Sequence, residues 1–282
     1  MTAPDKRARK KQHRDEVRAA QEAALKRRRN IRLLVLVGLI VALVGAAMAF
    51  GSEDEIEPGP KDDKAEEKAE AACGAEAPPE ADPKQYDKPP GTVIEEGVDY
   101  SATIRTSCGD IVIDLLEDET PENVNNFVFL AREGYYEGLI WHRVESDSVI
   151  QAGDPNGQNG VPPDGPGYTI PDELPEKSKE YVYGVVGMAN AGPNSAGSQF
   201  FIVTRKQGPA GYQPFYSIFG RVVDGETDAT EEEIGCKSPG EPGIPTLDAI
   251  GCQPTNQGAA SAAEAVKPIV PIYIESIEIH EG

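Results

Sequence analysis

The stretch Met188-Ala-Asn-Ala-Gly-Pro-Asn-Ser-Ala-Gly-Ser-Gln-Phe-Phe-Ile202 changes character partway along. Up to Ser198 it is small, polar and broken by glycine and proline, a loop composition. From Phe200 to Thr204 it is aromatic and β-branched, which reads as a strand. A second block lies some forty residues earlier, Trp141-His-Arg-Val144 followed by Val149-Ile-Gln-Ala-Gly-Asp154. Together the two blocks supply a guanidinium (Arg143), three carboxamides (Gln151, Asn190 and Gln199) and an aromatic ring (Phe201). That set suits holding a peptide and polarising an amide. Hydrolysis finds no support, because Ser148, Ser195 and Ser198 have no evident base in a chain with 3 histidines.

Working outward, the blocks sit among short strand candidates: Ser101–Thr106, Asp110–Leu115, Leu139–Val144, Val149–Gln151, Val185–Ala189, Phe200–Thr204, Phe219–Val223 and Val270–Ile279. Ser107-Cys-Gly109 joins the first two as a hairpin. One helix is expected early. Thr120 reads as its N-cap, Pro121 as its first residue and Gly134 as its stop. Val124, Phe127, Val128 and Ala131 give it an apolar face. Many short strands with one early helix predict a mainly β fold, a closed antiparallel barrel plugged at its ends by helices. The Gly- and Pro-rich stretch Asp154–Glu180 is expected on the surface.

Charge divides the chain unevenly. Residues 1–32 hold 12 Lys and Arg against 4 Asp and Glu, a net of +8, which leaves −29 on the other 250 residues. So acidic a body excludes a nucleic-acid partner. Leu33 to Phe50 follows the basic head without a single charge, long enough to span a bilayer core roughly. Its basic N-terminal flank orients it with the N-terminus inside. We read residues 31–50 as a single-pass anchor in the cell membrane, 1–30 as a cytoplasmic tail, 51–98 as an acidic, Pro-rich linker and 99–282 as an extracytoplasmic folded domain. A cleaved signal peptide is the alternative, since Ala47-Met-Ala49 has the small-x-small pattern of a cleavage site. The 4 cysteines suit an oxidising compartment. Proximity pairs Cys236 with Cys252, leaving Cys73 with Cys108. No Cys-x-x-Cys pair supports a metal site, and no cofactor is implied.

The two blocks, matched over Trp-His-Arg, Gln-x-Gly-Asp and the Met188–Ile202 run, identify residues from about Tyr100 to Gly282 as resembling a cyclophilin, a peptidyl-prolyl cis-trans isomerase. The resemblance implies an eight-stranded antiparallel barrel capped by two helices. The second helix would be displaced to around Thr246–Gly251 or Ala259–Val266 by an acidic insertion at about 226–246. It also implies proline-containing polypeptide clients, isomerisation of X–Pro bonds during folding, and a chaperone-like role. Arg143 takes the place of the catalytic arginine, with Gln151 and Asn190 on the substrate backbone and Phe201 under the proline ring. Val149, Ala189, Ala191, Gln199 and Tyr216 line the groove, and Tyr212 can supply an aromatic to it. Two positions depart from the family. Ser148 stands where a Phe usually packs on the proline, and the loop Gln207–Phe215 lacks a Trp that cyclosporin contacts. The first implies a weaker pocket, with a catalytically weak peptide-binding or chaperone module as the alternative function; the second implies reduced cyclosporin affinity.

Overall fold

The computed structural model describes residues 70–79, 81–82, 84–157, 165–176, 180–226, 245–259 and 261–282. The expected anchor at 33–50, Cys236 and most of the 226–246 insertion lie outside them. Among the described residues no helix is long and apolar enough to cross a membrane.

Eight strands form one antiparallel sheet. They are β1 (Tyr100–Thr106), β2 (Gly109–Leu115), β3 (Arg143–Glu145), β4 (Val149–Ala152), β5 (Val185–Met188), β6 (Phe200–Val203), β7 (Ile218–Glu226) and β8 (Ile274–Glu281). Their order is β3-β4-β6-β5-β7-β2-β1-β8. Each expected strand is present, although Leu139–Val144 contributes only its end to β3. The sheet is a curled, open half-barrel with β3 and β8 as its edges. Instead of a ladder, the edges share the single bridge Ile140↔Tyr273 and nearby bonds such as Trp141 N–H to Ile272 C=O at 2.9 Å.

Period-two alternation makes two packed faces out of the β3-β4-β6-β5 region. Val144, Ile150, Ala152, Val186, Met188, Phe200 and Ile202 point into the main core. There Phe127 stacks with Tyr136, Phe200 and Phe219 at centroid distances of 5.5, 5.7 and 5.0 Å. The intervening residues Val149, Val185, Phe201 and Val203 form a second, smaller cluster with Tyr181 and Ile218. Both faces of these short strands are therefore covered.

Helix α1 (Pro121–Arg132) lays Val124, Phe127, Val128 and Ala131 on the core, as the apolar spacing predicts. Its N-terminus differs from expectation. The Thr120 side chain makes no cap and donates to the Leu116 and Ile218 carbonyls instead. The carboxylate of Glu173, fifty residues on, accepts from the N–H groups of Glu122 and Asn123 at 3.2 and 2.9 Å. A carboxylate there satisfies open amides and faces the positive end of the helix dipole. Among the described residues two short helices follow β7, α2 (Pro245–Gly251) and α3 (Ala262–Ala265), at both of the places expected for the displaced helix.

Residues 70–98 read as part of a linker by composition, but they follow the body closely. Ala72 and Cys73 are buried in its core, and Ala81, Tyr86, Val93, Ile94 and Val98 pack against it. The Val93 N–H donates to Asn125 Oδ1 at 2.7 Å. Cys73 is disulfide-bonded to Cys108, with Cα atoms 5.1 Å apart, and this ties the segment to the β1–β2 turn. Cys252 is also disulfide-bonded.

Candidate functional site

The outer face of β3, β4 and β6 carries the functional side chains because the register aligns them. Arg143 on β3 pairs with Gln151 on β4, which pairs with Phe201 on β6, which pairs with Gly187 on β5. Three side chains and a glycine from distant parts of the sequence thus fall in one row across the sheet. Arg143, Val149, Gln151, Ala189, Asn190, Phe201, Tyr212 and Tyr216 line one cavity of about 200 Å³. A second cavity of about 130 Å³ shares Gln151, Ala189 and Asn190 with it. The second continues past Ala191, Ser195 and Gln199 to Tyr168 and Thr169. Every expected groove residue except Ser148 lies on one of the two walls.

The floor is aromatic. Phe201 meets Tyr216 at 5.5 Å and Tyr212 at 5.8 Å, both edge to face, and Tyr181 closes the cluster behind them. Such contacts hold rings at fixed angles and add to their burial. Gly187 makes the arrangement possible, since a Cβ there would stand 2.5 Å from Phe201 Cζ. Burial raises the phenol pKa of Tyr181 to about 12 and that of Tyr212 in the same direction, so both stay neutral donors.

Ser148 stands apart from the cavity wall. Its hydroxyl donates to Glu145 Oε2 at 3.3 Å and holds the Tyr212 phenol pKa down against burial, and the Tyr212 ring lines the cavity. The 205–216 segment is in turn anchored by the Lys206 N–H, which donates to Asp147 Oδ1 at 3.0 Å. Lys206 Nζ also reaches Asp248 Oδ2 on α2 at 2.9 Å. The aromatic missing at position 148 is thus matched by one delivered from a loop sixty residues later.

Above the floor runs a polar relay. Arg143 Nη1 donates to Gln151 Oε1 at 3.1 Å, Gln151 Nε2 to Gln199 Oε1 at 2.8 Å, and Gln199 Nε2 to Asp154 Oδ2 at 3.3 Å. A guanidinium can only donate and a carboxylate can only accept, so the two charged ends set the direction of both carboxamides between them. Asp154 is fully buried, and its other oxygen accepts from the Asn156 N–H. Asn190 is pinned at the cavity wall by its donation to the Phe215 carbonyl at 2.7 Å. Beneath β3, buried His142 has its pKa lowered to about 4, by burial first and then by Arg143 and Lys267. It is an uncharged structural residue at neutral pH. Among the described residues no cluster of His, Cys, Asp or Glu could hold a metal ion.

Two neighbours of the site carry no distinctive signal in the sequence alone. Gly187 resembles any strand glycine until its partner on β6 is known. Glu145 looks like an ordinary surface acid until the strand alternation puts it beside Arg143.

The family profile described as cyclophilin type peptidyl-prolyl cis-trans isomerase/CLD matches residues 101–232. The chain is 34% identical over 180 residues to peptidyl-prolyl cis-trans isomerase-like 3 of Rattus norvegicus, covering 64% of this chain and 96% of that protein. It is 40% identical over 125 residues to a peptidyl-prolyl cis-trans isomerase of Arabidopsis thaliana, covering 44% of this chain and 77% of that one. Among solved structures, a cyclophilin type isomerase of Cryptosporidium parvum superposes with a TM-score of 0.51 at 28% identity, over 65% of this chain and 99% of that one. The same Cryptosporidium protein in the presence of the dipeptide Ala-Pro gives a TM-score of 0.50.

Proposed function

The chain belongs to the cyclophilin-type peptidyl-prolyl cis-trans isomerases and is an enzyme of that kind; from that premise we propose that it isomerises X–Pro bonds of extracytoplasmic proteins, with Arg143 stabilising the twisted amide. The observation that carries the reading is that Arg143 lines the same cavity as Phe201, Val149, Tyr212 and Tyr216. A proline ring on that aromatic floor brings its nitrogen under the guanidinium. The residues before the proline would run along the adjoining cavity, past Asn190, Ala191 and Gln199. That a relative has been studied with Ala-Pro agrees with a proline-containing ligand.

The chemistry asks for no bond cleavage. Amide rotation is slow because the C–N bond has double-bond character, with a barrier of about 18–20 kcal/mol. Twisting removes the delocalisation and leaves a lone pair on the prolyl nitrogen. A donor aimed at that lone pair is stronger in the twisted state than in either planar state, so it lowers the barrier. A guanidinium is permanently charged and donates in a fixed geometry. One charge-assisted bond is worth about 1.5–3 kcal/mol. A 10⁴-fold acceleration needs about 5.5 kcal/mol. The rest must come from gripping the ring on the floor while the preceding chain turns.

Placement outside the cytoplasm rests on the charge-free run at 33–50 with its basic flank, and on the disulfides. The client proteins would then be exported chains bearing proline. The absence of a Trp in the 207–215 loop supports weak cyclosporin binding.

The test is a protease-coupled assay on a proline peptide. Arg143→Ala should lower kcat/KM by about 10–150-fold, the range set by one charge-assisted bond. Equal rates for the variant and the wild type would end the catalytic reading of Arg143.

A further inference from the structure

Strand β3 puts two opposite charges on the groove face. Arg143 and Glu145 are two residues apart on an extended chain, so their side chains emerge on the same side. Glu145 Oε1 accepts from Arg143 Nε at 2.9 Å and lies 2.7 Å from Nη2. At the far tip Nη1 donates to Gln151 Oε1. The carboxylate is itself held, because its second oxygen accepts from Ser148 Oγ at 3.3 Å. The guanidinium is therefore gripped along one edge by a carboxylate and at the opposite tip by a carboxamide. Three of the five donors of an arginine are engaged in this way.

We propose that Glu145 is a positioning residue for isomerisation: it clamps the Nε edge of Arg143 so that the remaining Nη donors are presented to the cavity in one orientation. The proposal rests on the catalytic reading of Arg143. The pair is 28% and 34% exposed, and ion pairs so open to water add little to folding. Orientation is where it counts. An arginine side chain has large rotamer freedom, and a donor ordered in advance loses less of it when the amide twists. The grip on the proline ring comes from Phe201, Val149, Tyr212 and Tyr216 and does not pass through Glu145. The effect should therefore fall on kcat and spare KM.

The experiment uses the full chain with Glu145→Ala and Glu145→Gln, each alone and in an Arg143→Ala background, with kcat and KM measured separately on a proline peptide. Glu145→Ala should lower kcat by about 5–30-fold, the upper figure set by the rotamer entropy of an arginine. KM should change by less than about twofold, because uniform binding is untouched. Glu145→Gln keeps an acceptor oxygen for Nε and Nη2 and should recover most of the rate. In the Arg143→Ala background neither substitution should matter. The Arg143 Nε–H signal in the NMR spectrum should be sharp in wild type and Glu145→Gln, and lost to exchange in Glu145→Ala. An unchanged kcat in Glu145→Ala, or an equal loss in both backgrounds, overturns the proposal. If Arg143→Ala alone leaves the rate unchanged, the catalytic reading fails first and the proposal falls with it. If Arg143→Ala is impaired and Glu145→Ala is not, only the positioning role fails.

Discussion

Gly187→Ala adds one methyl group at the most crowded point under the groove. The new Cβ would lie 2.5 Å from Phe201 Cζ, 2.8 Å from Cε1 and 3.1 Å from Cε2. Carbon atoms in good contact sit about 3.5–4.0 Å apart, so the ring must retreat by about 1 Å. Tyr212 and Tyr216 stand against it on the cavity side, at centroid distances of 5.8 and 5.5 Å. The retreat therefore disturbs the floor on which proline would rest. Overpacking of this kind costs about 1–3 kcal/mol. For a body of this size that is a fall in Tm of roughly 2–12 °C. Activity should suffer more, because a misplacement of about 1 Å at a reacting centre can cost about 100-fold. Thermal melts and the coupled isomerase assay give the two readouts. Phe201→Leu in the Gly187→Ala background removes the clashing ring edge and should return Tm toward that of Phe201→Leu alone. If Gly187→Ala matched wild type in both Tm and kcat/KM, Phe201 would not be wedged against β5 and the account of the floor would be wrong.

Two other outcomes follow from the same geometry. His142 stays neutral in the folded state down to about pH 4, while in the unfolded chain it takes a proton below about 6.5. The unfolded state binds more protons in that window, so stability is complete above pH 6.5 and falls as pH drops toward 4, by on the order of 3 kcal/mol. Urea titrations at pH 7 and 4.5 should show a larger acid loss for wild type than for His142→Gln; parallel losses would refute the burial argument. Tyr212→Leu should lower kcat/KM by about 2–13-fold through the lost aromatic contacts. Ser148→Phe alone should give no gain, because Tyr212 already stands against position 148, and it should restore activity only in the Tyr212→Leu background. A gain from Ser148→Phe by itself would show that the pocket is emptier than described.

Much of the fold was legible from local pattern. Each β-branched or aromatic run contains a strand, because alternation with period two depends only on neighbours along the chain, but the runs at 139–144 and 270–279 start four residues before β3 and β8 do. The apolar face of α1 was legible for the same reason. The N-terminus of that helix was not: Glu173 caps it from fifty residues away, and no local signal at Thr120 announces a distant carboxylate. The packing of residues 70–98 was hidden too, since a sequence poor in large apolar groups can still be held by a disulfide and a few buried side chains.

At the site, the chain by itself determined which chemical groups are present: one guanidinium, three carboxamides and one aromatic ring, encoded in two short blocks. Only the tertiary structure decided how they meet. Register across β3, β4, β6 and β5 sets Arg143, Gln151, Phe201 and Gly187 in one row. A slip of one residue would turn those side chains to the other face. Alternation along β3 sets Glu145 beside Arg143, and the 205–216 loop brings Tyr212 to the cavity wall. Those contacts join residues that composition treats as unrelated. They arise because a sheet pairs strands by hydrogen bonding, without regard to distance along the chain.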